Sequence, residues 1–457
     1  MKKILTVTLF ILFFVSSFSF ALAKKQQKEE EINVDFFRKF QDEILLENIL
    51  SAYSNNLDLK IAYSKVKESE RIVKMSLASE LPQVDFAPLI SKTFSSGDLI
   101  RGKNNYMVRS YNQSRFYLPV YVSYDIDVWG KNRLKTKSKE QSLKMIEQDK
   151  KTSEILLSSS VAIDYYNLIK IDKLLELNQE LLKLNKNALL LSKNKQKFGL
   201  LSEDDILSQK ENLIKVQKTI NNLENQKEIL KNQIGYLTAD KLFSDVKRKS
   251  FEDINELFDT PNTLESNIIL NRPDVKSAQE NIKRASYDAR VAKRELLPTF
   301  TIMGTFGFNG YNNLKGIFKN HTGLADISVM PNWNIFDAGK RFQLIKLKKL
   351  EYERAQKEYE QAVLASLQEV NDTLATLKAD KKDYSLSKDI FEIQNKKLKL
   401  KSSNKAFGLS NELDYILYQE AQNLSAQSIV DNKINQIISA INLYRATGGV
   451  DFTKENL

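Results

Sequence analysis

The sequence predicts an α+β membrane protein in which four short β-strands per chain are joined to very long coiled-coil helices. Three observations predict this class: a tandem internal repeat, two stretches of 68 residues without Gly or Pro, and segments in which apolar and polar residues alternate. The chain has 457 residues but only 14 Gly and 7 Pro, so most of it must form long uninterrupted elements.

The N-terminus has the pattern of a secretory signal peptide. Lys2 and Lys3 precede an apolar stretch, and Ala21-Leu22-Ala23 places small residues where a signal peptidase reads them. We expect residues 1–23 to be removed and the protein to be exported. Because no later stretch approaches the ~18 apolar residues that a membrane-spanning helix needs, any membrane crossing must be made by strands.

The rest of the chain is a tandem duplication. Residues 55–83 resemble residues 271–299 at an offset of 216, and later features repeat at an offset of 209. The later pairs are Gly130 with Gly339, Gly199 with Gly408, and Asp205 with Asp414. We place the two copies at residues 55–235 and 266–449, each beginning with a helix. The segments 24–54 and 236–265 are expected to form a collar, and residues 450–457 a tail.

Each copy contains a long helical hairpin. The stretches without Gly or Pro predict helices over 131–198 and 340–407, each ~100 Å long at 1.5 Å per residue. A coiled-coil seam with alternating spacings of three and four follows the first helix: Leu174, Leu177, Leu181, Leu184, Ala188 and Leu191. After each tip Gly the chain resumes at Ser202 or Ser410, an N-cap residue type, and return helices are predicted over 202–234 and 410–446.

The segments before the long helices predict strand pairs over 83–129 and 299–337. Each strand is about ten residues long with one wholly apolar face, as in outer-membrane barrels, although a soluble sandwich has similar strands. Asp125 and Asp127 share a strand face and are expected to be solvated in the lumen. Four strands cannot close a barrel, so neighbouring copies must complete it, and the strand count permits two, three or four copies.

Composition excludes most enzyme chemistry. The chain has no Cys and one His, which removes disulfides, thiolate zinc sites, His-based triads and a lipidated N-terminal Cys. No cofactor or metal site is predicted. The net charge is +11, and a basic stretch follows Gly130. In an exported protein this stretch fits a solvated helix or a lipid-headgroup contact better than nucleic-acid binding.

Several motifs, each repeated or in order along the chain, carry a family resemblance. They are Asn271-Arg272-Pro273-Asp274, Leu297-Pro298, Trp333-x-x-Phe336-Asp337-x-Gly339-Lys340-Arg341, Asp127-x-Trp129-Gly130-Lys131, the two Phe-Gly-Leu tips, and Leu443-Tyr444-Arg445-Ala446-x-Gly448-Gly449. Over roughly residues 40–450 the chain resembles the TolC-like outer-membrane factor family, the exit ducts of efflux pumps and of type I secretion.

The resemblance implies a homotrimer with a twelve-stranded outer-membrane β-barrel that continues as a helical tunnel into the periplasm. It also implies a passive efflux duct, not an enzyme, with two partners: a periplasmic adaptor protein and an inner-membrane RND or ABC pump. A type I protein-secretion duct is the alternative within the fold. An exported coiled-coil spacer or adhesin is the alternative from another class, although a spacer needs neither amphipathic strands nor tandem copies.

The hairpin tips are the predicted functional residues. Carboxylates concentrate in the first turn of each return helix, and in a trimeric tube they would form acidic rings, so we predict a closed periplasmic gate at Asp204, Asp205, Glu412 and Asp414. The resemblance implies that carboxylates matching Asp205 and Asp414 lie at or near the constricted aperture. Acidic residues also favour helix N-termini for purely local reasons. The resemblance further implies an adaptor-docking surface at Gly199, Leu200, Ser202, Gly408, Leu409 and Ser410. Leu417 and Ser410 replace an acidic and a basic residue that well-known family members have.

Overall fold

The computed structural model describes residues 34–95, 110–240, 246–260, 266–312, 316–318, 321–407 and 411–452. The predicted signal peptide and the tip residues Gly408, Leu409 and Ser410 lie outside the described residues. The helices are α1 Asp35–Arg38, α2 Glu43–Asn55, α3 Leu57–Ala78, α4 Lys131–Lys197, α5 Glu203–Thr238, α6 Pro273–Arg294, α7 Lys340–Ala406 and α8 Glu412–Ala446. None of these described helices is both long enough and apolar enough to span a membrane.

The two long helices α4 and α7 have 67 residues each and are the longest elements of the molecule. Near the strands, α4 packs between α3 and α6, and further from the strands it packs between α5 and α8. Helix α7 packs against α6 near the strands and against α8 further from them. The single chain therefore presents one layer of roughly parallel and antiparallel helices, with α3 and α5 at one lateral edge and α7 at the other.

Both long helices begin with the same local device. Gly130 and Gly339 have left-handed backbone angles (φ +73° and +83°), which turn the chain from strand into helix. The Asp127 carboxylate accepts the backbone N–H groups of Asn132 and Arg133 at 3.1 and 3.0 Å. Asp337 similarly accepts two backbone N–H groups at the start of α7.

The expectation that Asp127 shares a strand face with Asp125 is therefore wrong. The strand ends at Ile126, because the Asp127 carboxylate is needed to satisfy the free N–H groups at the start of α4. Asp125 does lie in the strand, where it accepts a hydrogen bond from the Thr301 hydroxyl at 2.6 Å.

The strands β1 Gln83–Phe86, β2 Leu89–Ser95, β3 Tyr111–Ile126, β4 Thr299–Tyr311 and β5 Gly323–Asn332 form one antiparallel sheet. β1 and β2 both pair with β3, then β4 and β5 follow in order, so β1 and β2 together act as one interrupted strand. The interruption coincides with Pro88 and with Pro119 of β3, neither of which has a backbone N–H for the ladder. The sheet thus has four strand positions.

The register gives the sheet one apolar and one polar face. Val122 pairs with Val84 and Gly304, and Val120 pairs with Phe86 and Phe306. On the opposite face, direct pairs join polar residues, such as Asp125 with Thr301 and Ser123 with Gln83. Many apolar side chains on the first face are exposed in the single chain, among them Val84, Phe86, Phe306, Ile327 and Val329.

The main core lies halfway along the helices. Two segments that we call the collar, residues 34–55 and 246–258, pack there against α4 and α8. Phe36 stacks on Tyr444 of α8 at 4.3 Å between ring centroids, and the Tyr165 hydroxyl of α4 donates to Asp42 at 2.9 Å. Lys433 of α8 donates to the Ile254 carbonyl at 2.6 Å. The collar therefore fixes the spacing between α4 and α8 halfway along the molecule.

Candidate functional site

The first hairpin tip, between α4 and α5, is a compact turn held by backbone hydrogen bonds. Gly199 has a left-handed conformation (φ +69°) and ends α4. The Leu200 N–H donates to the Lys195 carbonyl at 3.0 Å, and the Gly199 N–H donates to the Gln196 carbonyl at 2.8 Å. These two bonds are a Schellman motif, which a residue with a Cβ would strain. The motif fixes the direction in which Leu200 leaves the helix.

Helix α5 then begins with a reciprocal cap. The Ser202 hydroxyl accepts the Asp205 N–H at 3.2 Å, while the Asp205 carboxylate accepts the Ser202 N–H at 2.9 Å and its hydroxyl at 2.7 Å. These hydrogen bonds, the hydroxyl bond first, hold the pKa of Asp205 below its usual value. Asp205 therefore keeps its negative charge and has a local capping role as well.

The second tip corrects one expectation. Helix α8 is capped by Asn411, whose side-chain oxygen accepts the Asp414 N–H at 2.9 Å, and the helix starts at Glu412. The expected cap, Ser410, is one residue too early. Asn caps helices as well as Ser does, and the repeat offset of 209 in fact pairs Ser202 with Asn411. The offset was the signal that identifies the correct residue.

Equivalent residues close both tips. Gln196 donates to Glu203 at the first tip, and Lys405 forms an ion pair with Glu412 at the second. Lys405 also lies 4.6 Å from the centre of the Tyr415 ring. In each hairpin a long side chain in the last turn of the long helix thus holds a Glu in the first turn of the return helix.

The predicted gate residues lie on the first turns of α5 and α8, which belong to two separate hairpins. Asp204, Asp205 and Glu412 are exposed, and Asp414 is half-buried. Leu417, one turn further along α8, is also exposed. Across the described residues, no group of three or more His, Asp or Glu side chains could hold a metal ion. Within one chain, these carboxylates form two acidic turns and no enclosed site.

Two aromatic residues at the tips belong to the Phe-Gly-Leu motifs but were not among the predicted functional residues. Phe198 and Phe407, which precede the tip glycines and match at the repeat offset, are each 80% exposed. Leu200 is 69% exposed. Large apolar side chains are rarely this exposed without a partner. The signal was present in the sequence, because Phe occupies the same place before Gly in both copies.

A second group of motif residues meets within the second repeat, where the start of α6 lies against the end of α8. The Arg272 guanidinium forms two hydrogen bonds with Asp274, at 3.0 and 2.8 Å, and an ion pair with Glu369 of α7 at 2.8 Å. It also donates to the Ala446 carbonyl at the end of α8. Gly448 packs so closely that a Cβ there would lie 2.7 Å from the Arg272 Cα. One contact therefore explains why the motif around Arg272 and the closing Gly-Gly motif occur together.

Comparisons with known proteins agree over almost the whole chain. A model of the outer membrane efflux protein family matches residues 48–238 and 264–449. The solvent efflux pump outer membrane protein SrpC of Pseudomonas putida is 22% identical over 412 residues, 90% of this chain and 86% of that protein. The outer membrane protein OprJ of Pseudomonas aeruginosa is 22% identical over 411 residues, 87% of this chain and 82% of that protein.

Solved structures have the same protomer fold. The Campylobacter jejuni CmeC outer membrane channel aligns with a TM-score of 0.82 at 22% identity, covering 95% of this chain and 92% of that chain. The Neisseria gonorrhoeae MtrE outer membrane channel, solved in its open state, aligns with a TM-score of 0.78 at 19% identity, covering 89% of each chain. With both repeats matched by the family model, the chain belongs to the outer membrane efflux protein family.

Proposed function

We propose that three copies of this chain assemble side by side into a passive duct, with a twelve-stranded barrel in the outer membrane and a helical tunnel in the periplasm. As an outer membrane efflux protein, the chain is an export channel and has no catalytic role. The observation that carries the assembly is the open sheet. In the described part of the chain, the β1/β2 edge and the β5 edge each have a partner on one side only. Open edges are not stable in lipid.

The lateral helices support the same assembly. On α7, Leu386, Ile390, Ile393 and Leu400 follow spacings of four, three and seven, and each is about half exposed or more. On α5, at the other edge of the chain, Leu207 and Ile214 are seven residues apart and are also exposed. Heptad stripes of this kind pack against another helix. Side-by-side copies would bring the α7 stripe of one chain against the α3 and α5 edge of the next.

The copy number of three follows the family resemblance, because the strand count alone also permits two or four copies. Stoichiometry is tested by native mass spectrometry of the detergent-purified protein, together with electrophoresis of unheated samples. We expect particles of three chains that resist dissociation until heated. Particles of any other size, or free monomers at high protein concentration, would contradict the proposal.

In such a tube, the acidic first turns of α5 and α8 would repeat around the axis at the periplasmic end. Asp204, Asp205, Glu412 and Asp414 would then contribute twelve carboxylates to the closed gate. Rings of carboxylates favour cations over anions and bind divalent cations strongly. The gate would therefore prefer cations in its closed state. Opening would require an adaptor that binds the open state more tightly than the closed one.

We further propose that the tips are the docking surface for a periplasmic adaptor, which links the duct to an inner-membrane RND or ABC pump. The Schellman turn at Gly199 holds Leu200 and Phe198 outward as an apolar surface. Gly408 and Leu409 would have the same role at the second tip. Changing Leu200 or Leu409 to Glu should abolish crosslinking to the adaptor while the trimer persists. Retained crosslinking would contradict the docking assignment.

The gate is tested with Asp205→Ala combined with Asp414→Ala. We expect higher single-channel conductance and weaker block by divalent cations. Ser202→Ala is the matched control, because it breaks the same helix cap and leaves the Asp205 charge in place. If the control raises the conductance as much as the double variant does, tip fraying explains the effect and these carboxylates are not the gate.

A further inference from the structure

The excess positive charge of the chain is concentrated in one thin layer next to the strands. The layer consists of the helix ends nearest the sheet: residues 70–78 of α3, 131–139 of α4, 286–294 of α6 and 340–348 of α7. These 36 residues include fourteen Lys and Arg but only two Asp and Glu. Their net charge is +12, whereas the whole chain carries +11. We call this layer the basic belt.

Much of this charge is not neutralised within the chain. Arg133 and Arg341 form ion pairs with the Asp residues that cap α4 and α7. The four lysines at the start of α4 differ: in the part of the chain that the structure describes, no carboxylate lies within ion-pair distance of Lys131, Lys135, Lys137 or Lys139. Clustered, unpaired cations repel one another, so the belt is stabilised by an anionic surface.

Contacts on α4 show which way these lysines point. Thr136 contacts Ser76 of α3 at 3.0 Å, and Ser138 donates to Asp288 of α6 at 2.6 Å. Lys137, between them in sequence, therefore lies on an open face. Two residues correspond to roughly 200° around a helix, so Lys135 lies on the opposite open face.

The collar identifies the outer face. Asp172 binds Arg248 of the collar, and Asp172 follows Lys137 by 35 residues, five heptads along the same helix. Residues a whole number of heptads apart share one face of a coiled-coil helix. In a duct the collar must lie outside, because three copies inside would fill the lumen. Lys137 therefore faces outward and Lys135 faces the lumen.

Two tryptophans mark the boundary between sheet and belt. Trp129 comes two residues before α4 and Trp333 one residue after β5, and they are 38% and 59% exposed. Their indole N–H groups donate to the carbonyls of Pro298 and Leu296 at 2.7 and 3.1 Å. Partly exposed Trp is typical of the membrane–water interface. The belt begins next to these tryptophans, at headgroup level, and its nine-residue helix ends extend ~13 Å from there.

We propose that the basic belt binds the anionic phospholipid headgroups of the periplasmic leaflet and so sets the depth of the duct in the membrane. This inference rests on the proposed duct, because only a barrel in the outer membrane brings the belt to a lipid surface. Outward lysines such as Lys137 can extend their apolar stems toward the membrane and keep the ammonium group among the phosphates. The favoured ligand is the phosphate of phosphatidylglycerol or cardiolipin, not a neutral headgroup.

The test uses the full-length protein reconstituted in nanodiscs of phosphatidylethanolamine mixed with phosphatidylglycerol. Native mass spectrometry counts the lipids that remain bound to each assembly. We expect the wild-type protein to enrich phosphatidylglycerol, and Lys137→Gln to lower the preference at each site about fivefold, the equivalent of ~1 kcal/mol per charge at a membrane surface. Lys135→Gln is the matched control, since it removes the same charge from the lumen face and should leave the lipid preference unchanged.

Two outcomes would overturn the belt: a wild-type protein without lipid preference, or equal losses in the Lys137 and Lys135 variants. Conductance of the same samples separates this failure from failure of the duct. Conducting assemblies without lipid preference overturn the belt alone. If the protein remains monomeric, does not conduct and shows no lipid preference, both the duct and the belt are overturned.

Discussion

Arg272 joins three helices of the second repeat, so its replacement is the most direct test of how that repeat is held together. Its side chain is 9% exposed, and it connects Asp274 at the start of α6, Glu369 of α7 and the Ala446 carbonyl of α8. Removing one partner of a fully buried ion pair costs about 3–5 kcal/mol. Because Asp274 and Glu369 are 45% and 38% exposed, solvent screens the charges that remain.

We therefore expect Arg272→Met to destabilise this junction by about 2–4 kcal/mol, of which the unpaired Ala446 carbonyl contributes about 1–3 kcal/mol. Hydrogen exchange measures the local effect, and amides at both ends of the junction should exchange roughly 10²-fold faster. Arg272→Lys should have a smaller effect, because Lys keeps the charge but cannot make the paired hydrogen bonds. Arg445→Met removes a nearby exposed charge and is the control. Unchanged exchange in Arg272→Met would refute the reasoning.

The same junction predicts a pH dependence. Burial by itself would raise the pKa of Asp274, but the hydrogen bonds and charge of Arg272 hold it below the ordinary value. A depressed pKa means that the stabilisation is present above the unfolded pKa of about 3.9 and is lost as the pH falls through the folded value. Wild-type protection at the junction should therefore fall below about pH 4, and Arg272→Met should not show this loss.

Two further predictions concern the strands and the long helix. Gly307→Ala should destabilise the sheet by about 1–3 kcal/mol or more and reduce the yield of heat-resistant assemblies, because its Cβ would overlap the backbone carbonyl oxygen of Leu118. Gly304→Ala is the control, since the one close contact of its Cβ, at 2.9 Å, is with the movable ring of Phe306, and the Val122 Cβ lies at an ordinary 3.7 Å. Equal losses would contradict the argument. Burial raises the pKa of Asp164 on α4 to about 6. The protonated carboxyl therefore contributes stability to the fold below about pH 4, and this stability is lost as the pH rises through 6. Asp164→Asn should therefore stabilise the protein by about 1–2 kcal/mol near pH 8 and leave it unchanged near pH 4 in thermal unfolding, whereas equal stabilisation at both values would count against it.

The long elements could be predicted from the sequence because they depend on local chemistry. Without Gly or Pro, nothing ends α4 before Gly199, and the seam at Leu174, Leu177 and Leu181 is buried in the structure. The strands could also be predicted, because the alternation of apolar and polar residues is a local sequence pattern. The interruption of the first strand was harder to foresee, since it depends on Pro88 and Pro119 meeting across two strands.

Contacts between distant residues could not be predicted in the same way. Arg272 and Ala446 are 174 residues apart, and neither segment alone contains a pattern that predicts its contact with the other. The role of Asp127 required knowledge of where the strand ends, because an Asp at a strand terminus and a helix cap look alike in sequence. At the second tip the error was of another kind: residue type favoured Ser410, whereas the repeat offset already pointed to Asn411.

The central claim, that this chain forms a duct closed at its periplasmic end by acidic turns, is tested most directly by recording single channels of the purified protein in planar bilayers. Our account predicts small, cation-selective openings that divalent cations block, and larger, less sensitive openings when Asp205 and Asp414 are both replaced by Ala. A trimer that shows no conductance in either form, or that is anion-selective in both, would contradict it.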